Sequence, residues 1–180
     1  LPICFCTERL VIRQFEAGDA EGYFSLYSRP RVHCFENEKI ESFPQSVEET
    51  EKKSKVTDGS ELAVCLKDGG GFVGHLFGMW EGDTFSVCWN FLPEYGGKGY
   101  AFEAARAYLD FLFFEKGARR IYAYTEDYNE SSQKLCRKLG MRLEGEFKEF
   151  ISFVKDDCGN PVYENTRQFA ILKKEWEAAR

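Results

Sequence analysis

The chain lacks any apolar run long enough to cross a bilayer as a helix. Its densest cluster, Phe111-Leu112-Phe113-Phe114, is bracketed by charges, whereas a membrane span takes about 20 apolar residues. A basic excess is also missing: 24 lysines and arginines stand against 30 aspartates and glutamates, a net charge of −6. A general nucleic-acid binder needs a positive face to meet phosphates, so that class is excluded. Small cationic substrates are not excluded, because an acidic surface attracts them weakly. Histidine is scarce, with only His33 and His75. The seven cysteines are odd in number, scattered, and contain no C-x-x-C pair. Neither a metal site nor a disulfide framework is expected, and a reducing, cytoplasmic compartment is. His33 and Cys34 are sequence neighbours, but a Cys–His nucleophile pair needs spatial geometry that adjacency does not supply. A loop histidine beside a half-buried thiol is the plainer reading. His75, inside a strand pattern, and Cys65 and Cys88, inside apolar runs, read as structural. No repeat, low-complexity linker or signal peptide is visible, and the chain begins at Leu1 rather than at a methionine.

What is present points to one folded domain over residues 1–180. Apolar residues make up 43 % of the chain, with 17 Phe, nine Tyr and three Trp, too many aromatics for a disordered sequence. A chain of this length buries about 70 % of its unfolded surface and needs no covalent staple. Thr7 to Phe15 alternates and is β-branched, which predicts a strand; Asp19 to Ser28 has helical spacing. Pro30 to Pro44 is a long polar connection of the kind that often binds something. Ser46-x-x-Glu49 reads as a capping box opening a polar helix to Val56. Strands are predicted at Glu61–Lys67, Phe72–Glu81 and Thr84–Leu92, joined by glycine turns that suit hairpins. Tyr100–Lys116 is a helix whose only polar stripe is Glu103, Arg106 and Asp110, as expected of a helix buried against a sheet. A strand at Arg119–Thr125, a helix at Asn129–Leu139 and strands at Arg142–Lys155 and Val162–Lys173 complete the order. Strand–helix–strand units are parallel where their strands neighbour and hairpins are antiparallel, so the expected fold is α/β (α+β), with a mixed, mostly antiparallel sheet of about seven strands and helices on both faces.

Chemistry concentrates at Gly96-Gly97-Lys98-Gly99, between a strand and the buried helix. Three of these four positions lack a Cβ, so backbone amides can converge on an anion where a helix N-terminus adds partial positive charge, with Lys98 beside them. A phosphate cradle and a flexible turn easing the helix start are both consistent with that segment. Walker A is ruled out, because Lys98 is followed by Gly99 and position 92 is Leu92. A literal G-x-G-x-x-G occurs at Gly69-Gly70-Gly71-Phe72-Val73-Gly74, but strand-like residues follow it, so the dinucleotide context fails.

Gly96 to Ala101 resembles the acetyl-coenzyme A loop of the GNAT acyltransferase superfamily, Gln/Arg-x-x-Gly-x-Gly/Ala, with Gly96 departing at the first position. The run Gly97-Lys98-Gly99-Tyr100-Ala101-x-Glu103-Ala104 is similar to the ribosomal-protein (RimJ/RimL-like) branch. Asn129-x-x-Ser132-x-x-Leu135-x-x-x-Leu139-Gly140-Met141 resembles a second block of the family. So do Thr7-Glu8-Arg9-Leu10-x-Ile12-Arg13, Leu143-Glu144-Gly145 and Lys174-Glu175-Trp176. The resemblance implies a sheet split between its fourth and fifth strands and transfer of an acetyl group from acetyl-coenzyme A to a primary amine by direct attack, without metal. It places pantetheine along Asn90, Phe91 and Leu92, and pyrophosphate on Gly96, Gly97, Lys98, Gly99, Tyr100 and Ala101. Asn129 falls beside the pantetheine arm and Ser132 where the departing sulfur is protonated. Asn129 is equally a favoured N-cap needing no ligand. The tyrosine that many family members place four residues after Ser132 is Cys136 here, more plausible as core than as acid. For the general base, Glu149 falls in phase with Phe147 and Ile151, unless a bulge flips the phase and exposes it; Glu144 and Glu146 read as solvated. Glu36, Glu38 and Glu41 are alternative contacts for a cationic acceptor, such as a peptide N-terminus or a small amine. A monomer or homodimer is expected, and a non-catalytic coenzyme A-binding sensor or interaction module is the alternative function.

Overall fold

The structure, a computed structural model, describes residues 2–180. Eight strands form one sheet: β1 (Cys4–Cys6), β2 (Leu10–Arg13), β3 (Glu61–Leu66), β4 (Phe72–Glu81), β5 (Thr84–Phe91), β6 (Arg120–Glu126), β7 (Arg142–Lys155) and β8 (Pro161–Leu172). Their spatial order is β1-β2-β3-β4-β5-β6-β8-β7. Every neighbouring pair is antiparallel except β5 and β6. Five helices accompany the sheet: α1 (Ala20–Tyr27), α2 (Phe43–Ser54), α3 (Tyr100–Asp110), α4 (Glu130–Lys138) and α5 (Lys173–Ala178). Among the described residues, no helix is long and apolar enough to cross a membrane.

Two cores lie on the two faces of the sheet. Tyr108 and Leu109 of α3, with Leu112 just beyond it, share one core with Leu76, Val87, Ile121, Ala123 and Phe169, all fully or nearly fully buried. The side chains of α1 that recur at helical spacing, Tyr23, Leu26 and Tyr27, close the other core with Phe15, Phe35, Ile40 and Ala63. Cys65 and Cys136 are core residues, and burial pushes the Cys136 thiol up to about 12, which leaves it protonated and inert at neutral pH.

The mixed, mostly antiparallel sheet with helices on both faces is the expected architecture, with local differences that have physical causes. The first strand is a hairpin: Thr7 turns the chain, its amide donating to the Leu10 carbonyl at 2.9 Å, and β1 adds the eighth strand. The second helix starts earlier than Ser46. Ser42 caps it, accepting from the Gln45 amide, and Pro44 fits its first turn. Ser46 is buried instead, its hydroxyl donating to the Ala20 carbonyl at 2.7 Å. The segment from Pro30 to Pro44 contains a 3-10 turn at His33–Glu38. The long buried helix is α-helical only to Asp110 and continues as a π-helical turn, Phe111–Glu115. Gly69 and Gly70, both at positive φ, form the β3–β4 hairpin turn, so the G-x-G-x-x-G match has no binding role in its context.

Candidate active site

Strands β5 and β6 are paired only at Thr84–Arg120, Phe85–Ile121 and Ser86–Tyr122. Beyond Ser86 they part, and the edge of β5 that faces β6 has no strand partner. The opening is the expected split between the fourth and fifth predicted strands, renumbered by the extra strand at the N-terminus. A cavity of about 440 Å³ fills it, walled by Trp89, Phe91 and Leu92 on one side and by Ala123, Glu126, Asn129 and Ser132 on the other. Gly96, Gly97 and Ala101 form its end.

The glycine loop meets the cavity where α3 begins. Gly97 and Gly99 have φ of 73° and 82°, and Gly99 is the N-cap of α3, a left-handed position that a side chain would strain. The first amides of an α-helix have no intrahelical acceptor, and the helix dipole makes that end positive. The loop is braced from outside the cavity. Arg9 donates to the Lys98 carbonyl at 2.9 Å, pairs with Glu103 at 2.6 Å and stacks over the Tyr100 ring at 4.3 Å. Burial alone would raise the Glu103 carboxyl; hydrogen bonds from Thr7 and Arg9 more than offset it and hold it below the usual carboxylate range. Of the predicted site residues, Phe91, Leu92, Gly96, Gly97, Ala101, Asn129 and Ser132 line the cavity. Lys98, Gly99 and Tyr100 face the brace instead, with the Lys98 ammonium donating to the Glu94 carbonyl at 3.2 Å.

Ser132 and Asn129 sit at the start of α4. Asn129 caps the helix: its Oδ1 accepts from the Ser132 amide and the Ser131 hydroxyl, each at 3.2 Å. Its Nδ2 donates to Glu126 Oε2 at 3.1 Å. The cap and a position in the cavity wall therefore coexist. Ser132 Oγ accepts from the Trp89 indole at 3.2 Å. An indole N–H only donates, so the serine proton stays available to a partner in the cavity.

Sequence reasoning missed Trp89 and Glu126. Glu126 carries a visible signal, an acidic residue ending an apolar strand in phase with Tyr122 and Tyr124. The bulge alternative for Glu149 is the observed one: the β7–β8 register shifts between Phe147 and Ile151, and Glu149 is exposed at φ 45° with its amide donating to Asn165 Oδ1. Glu149 is therefore not on the apolar side and is withdrawn as a base. Glu144 and Glu146 are exposed in ion pairs with Arg120 and Arg167. His33 bonds Glu164 at 2.8 Å rather than Cys34. Burial first, then the Glu126 carboxylate, pushes the Cys34 thiol far up, opposite to what a nucleophile needs. His75 is buried between the Tyr27 hydroxyl, 2.7 Å from Nδ1, and Glu61, 2.5 Å from Nε2.

A split parallel pair ending on a glycine-rich helix start is the arrangement that the resemblance to the GNAT superfamily implied. The model of the acetyltransferase (GNAT) domain family matches residues 9–142, and the chain belongs to that family: it is an acetyltransferase. Uncharacterized N-acetyltransferase YnaD of Bacillus subtilis (strain 168) is 34 % identical over 178 residues, covering 94 % of this chain and 97 % of the relative. A crystal structure of a GNAT-family acetyltransferase from Bacillus anthracis superposes with a TM-score of 0.84 at 31 % identity, covering 96 % of this chain and 99 % of that one. Spermidine N(1)-acetyltransferase of Escherichia coli (strain K12) is 39 % identical over 87 residues, 48 % of this chain and 43 % of the relative.

Proposed function

We propose that the protein transfers an acetyl group from acetyl-coenzyme A to a primary amine in a ternary complex, as a RimJ/RimL-like enzyme. The parting of β5 from β6 beside the start of α3 carries this reading. It offers an extended ligand an unpaired strand edge and offers its diphosphate a helix N-terminus. Phe91 and Leu92 flank the pantetheine arm, while Gly96, Gly97 and Ala101 bound the diphosphate end. The bound cosubstrate supplies an activated acyl group on a thiol leaving group. The Trp89 indole fixes the Ser132 oxygen and leaves its proton free for the departing sulfur. Asn129 acts as a positioning residue, holding Ser132 through the helix cap and Glu126 through its amide.

The test is acetyl-coenzyme A binding by calorimetry together with thiol release in the presence of amines. Ala101→Glu is the informative variant. A carboxylate in the first turn suits the helix dipole, so the fold is retained, but the side chain occupies the diphosphate end of the cavity. Acetyl-coenzyme A affinity is expected to fall at least tenfold, about 1.4 kcal/mol. Unchanged affinity in the folded variant would move the cosubstrate elsewhere. Tight binding without thiol release for any peptide N-terminus or small amine would favour the sensor reading.

A further inference from the structure

The turn that opens α3 is left undecided by its own residues. Gly97 and Gly99 flank Lys98, and glycine takes either sign of φ, so the Lys98–Gly99 peptide could face either way. That peptide is trans and planar, so where the Lys98 carbonyl points, the Gly99 amide points the opposite way. An anion at the helix start meets a donor in one orientation and a repelling carbonyl oxygen in the other. Among the described residues, no backbone carbonyl accepts from the amides of Gly97, Lys98 or Gly99. No hydrogen bond from the loop's own amides to the backbone makes the choice.

Arg9, in the turn between β1 and β2, does make it. Its Nη1 donates to the Lys98 carbonyl at 2.9 Å. Two further contacts hold the guanidinium: Nε pairs with Glu103 Oε2 at 2.6 Å, and the group lies 4.3 Å from the centre of the Tyr100 ring. Glu103 is fixed in turn, its Oε1 accepting from the Arg9 amide at 2.8 Å and from the Thr7 hydroxyl at 2.5 Å. The Glu103 amide donates to the Gly99 carbonyl at 3.0 Å, so the anchor of Arg9 sits in the first turn of α3 itself. A guanidinium is a rigid planar fork, which lets one side chain hold a carboxylate and a carbonyl at a set angle. A Cβ added at Gly99 would stand 3.4 Å from Arg9 Nη2, so the guanidinium also fills the outer side of the turn. Arg9 lines no part of the cleft, whose end is formed by Gly96, Gly97 and Ala101. With the Lys98 carbonyl drawn out to Arg9, the Gly99 amide is turned away from it.

We propose that Arg9 is a positioning residue for the acetyl donor: by holding the Lys98 carbonyl outside the cleft, it presets the Gly99 amide towards the diphosphate without touching the donor. The proposal rests on the acetyl-coenzyme A reading above and deepens it. Preorganisation of this kind strengthens binding by removing the ordering of the loop from the binding step. It acts only where the donor meets the loop, so a thioester cut short before the diphosphate does not feel it. Its sign also differs from that of a charge acting at a distance. Glu103 is an anion beside an anion site, and by Coulomb's law alone its neutralisation strengthens binding. As the anchor of Arg9, its neutralisation weakens binding instead.

The experiment titrates acetyl-coenzyme A and S-acetylpantetheine, the same thioester without phosphate groups. Both are followed by the fluorescence of Trp89 in the cleft wall, where neither Trp80 nor Trp176 contributes. Arg9→Met keeps the aliphatic stem over Tyr100, and its Kd for acetyl-coenzyme A should rise about tenfold while that for S-acetylpantetheine stays within about twofold. Arg9→Lys should not rescue, because an ammonium keeps the charge but lacks the fork that joins Glu103 to the Lys98 carbonyl. Glu103→Gln keeps an oxygen for Thr7 but sets an amide donor against Arg9 Nε, and should raise the Kd for acetyl-coenzyme A about threefold or more. If Arg9→Met fails to fold, Glu103→Gln carries the same test. Unchanged acetyl-coenzyme A affinity in folded Arg9→Met overturns the proposal, and so does an equal loss with both donors, which would mark a general defect of the fold. Full rescue by Arg9→Lys, or tighter binding by Glu103→Gln, overturns it as well, because Arg9 would then act through its charge. A wild type that binds acetyl-coenzyme A no better than S-acetylpantetheine would instead sink the diphosphate reading beneath the proposal.

Discussion

Two polar assemblies are buried on the same side of the sheet, and they differ in whether they are closed. Around His75 both ring nitrogens are met: Tyr27 meets Nδ1, Glu61 meets Nε2, and Lys53 pairs with the same Glu61 oxygen at 3.0 Å. Burial holds His75 below the usual histidine range. The neutral ring donates from Nε2 to Glu61 and accepts from the Tyr27 hydroxyl at Nδ1. Around Glu126 and Glu164 the accounts stay open: one carboxylate oxygen of each has no partner among the described residues. Closed networks specify a fold; open ones leave a buried lone pair that water or a ligand can meet. A charged side chain alone would not have told the two apart, because both assemblies contain buried glutamate or histidine.

The sharpest way to break the comparison is Glu61→Ala. It strands His75 and Lys53 together, and about 3 kcal/mol of stability should be lost in urea unfolding. Acetyl-coenzyme A affinity should be unaffected in the folded fraction. Equal stability to wild type would mean that the His75 network is not structural. The next effect is a dependence on pH. With its folded pKa depressed, His75 refuses a proton that the unfolded chain accepts near its ordinary value of about 6.5. Its contribution is complete above that pH and is lost as pH falls towards 5, with a slope of at most about 1.4 kcal/mol per pH unit. His75→Gln should flatten that slope in chemical unfolding between pH 7 and 5, and an unaltered slope would place the titration on another group. The smallest effect has the opposite sign. Glu126→Gln removes an unpaired buried charge while keeping an oxygen for Asn129, so stability should rise by about 0.5–1 kcal/mol. A loss of stability comparable to that of Glu61→Ala would show that Glu126 belongs to the scaffold.

Most of the fold was legible because its signals are local. The period-two pattern of Phe72–Glu81, the cap at Asn129 and the glycines that end hairpins each act within a few residues, and β4, α4 and the turns lie where they predict. The misplaced helix start has a different origin. Ser46 and Glu49 have the spacing of a capping box, but Ser46 is wanted by the Ala20 carbonyl, 26 residues away, and Ser42 takes the cap. The π-helical turn after Asp110 likewise has no period that the aromatic run Phe111–Phe114 could betray. At the site, the cavity wall from Phe91 to Ala101 and the pair Asn129 and Ser132 could be read from motif spacing. Glu126 shows only its phase along the strand, because which of its oxygens is left bare depends on Asn129 taking the other. The Arg9–Glu103 brace is equally non-local, joining residues far apart in sequence over the back of the glycine loop.

Three rungs hold β5 to β6, where β3–β4 has five, β6–β8 seven, β4–β5 eight and β7–β8 nine. So short a ladder contributes little cohesion between the two halves, and the buried side of α3, whose core spans both, carries most of it. The two halves therefore behave less like one rigid plate than like two plates glued along a helix. In amide exchange, the tip of the wedge should open in step with α3, while the β3–β4 and β7–β8 hairpins hold their protons longer. A ligand that threads between the plates would slow exchange at the tip without touching it.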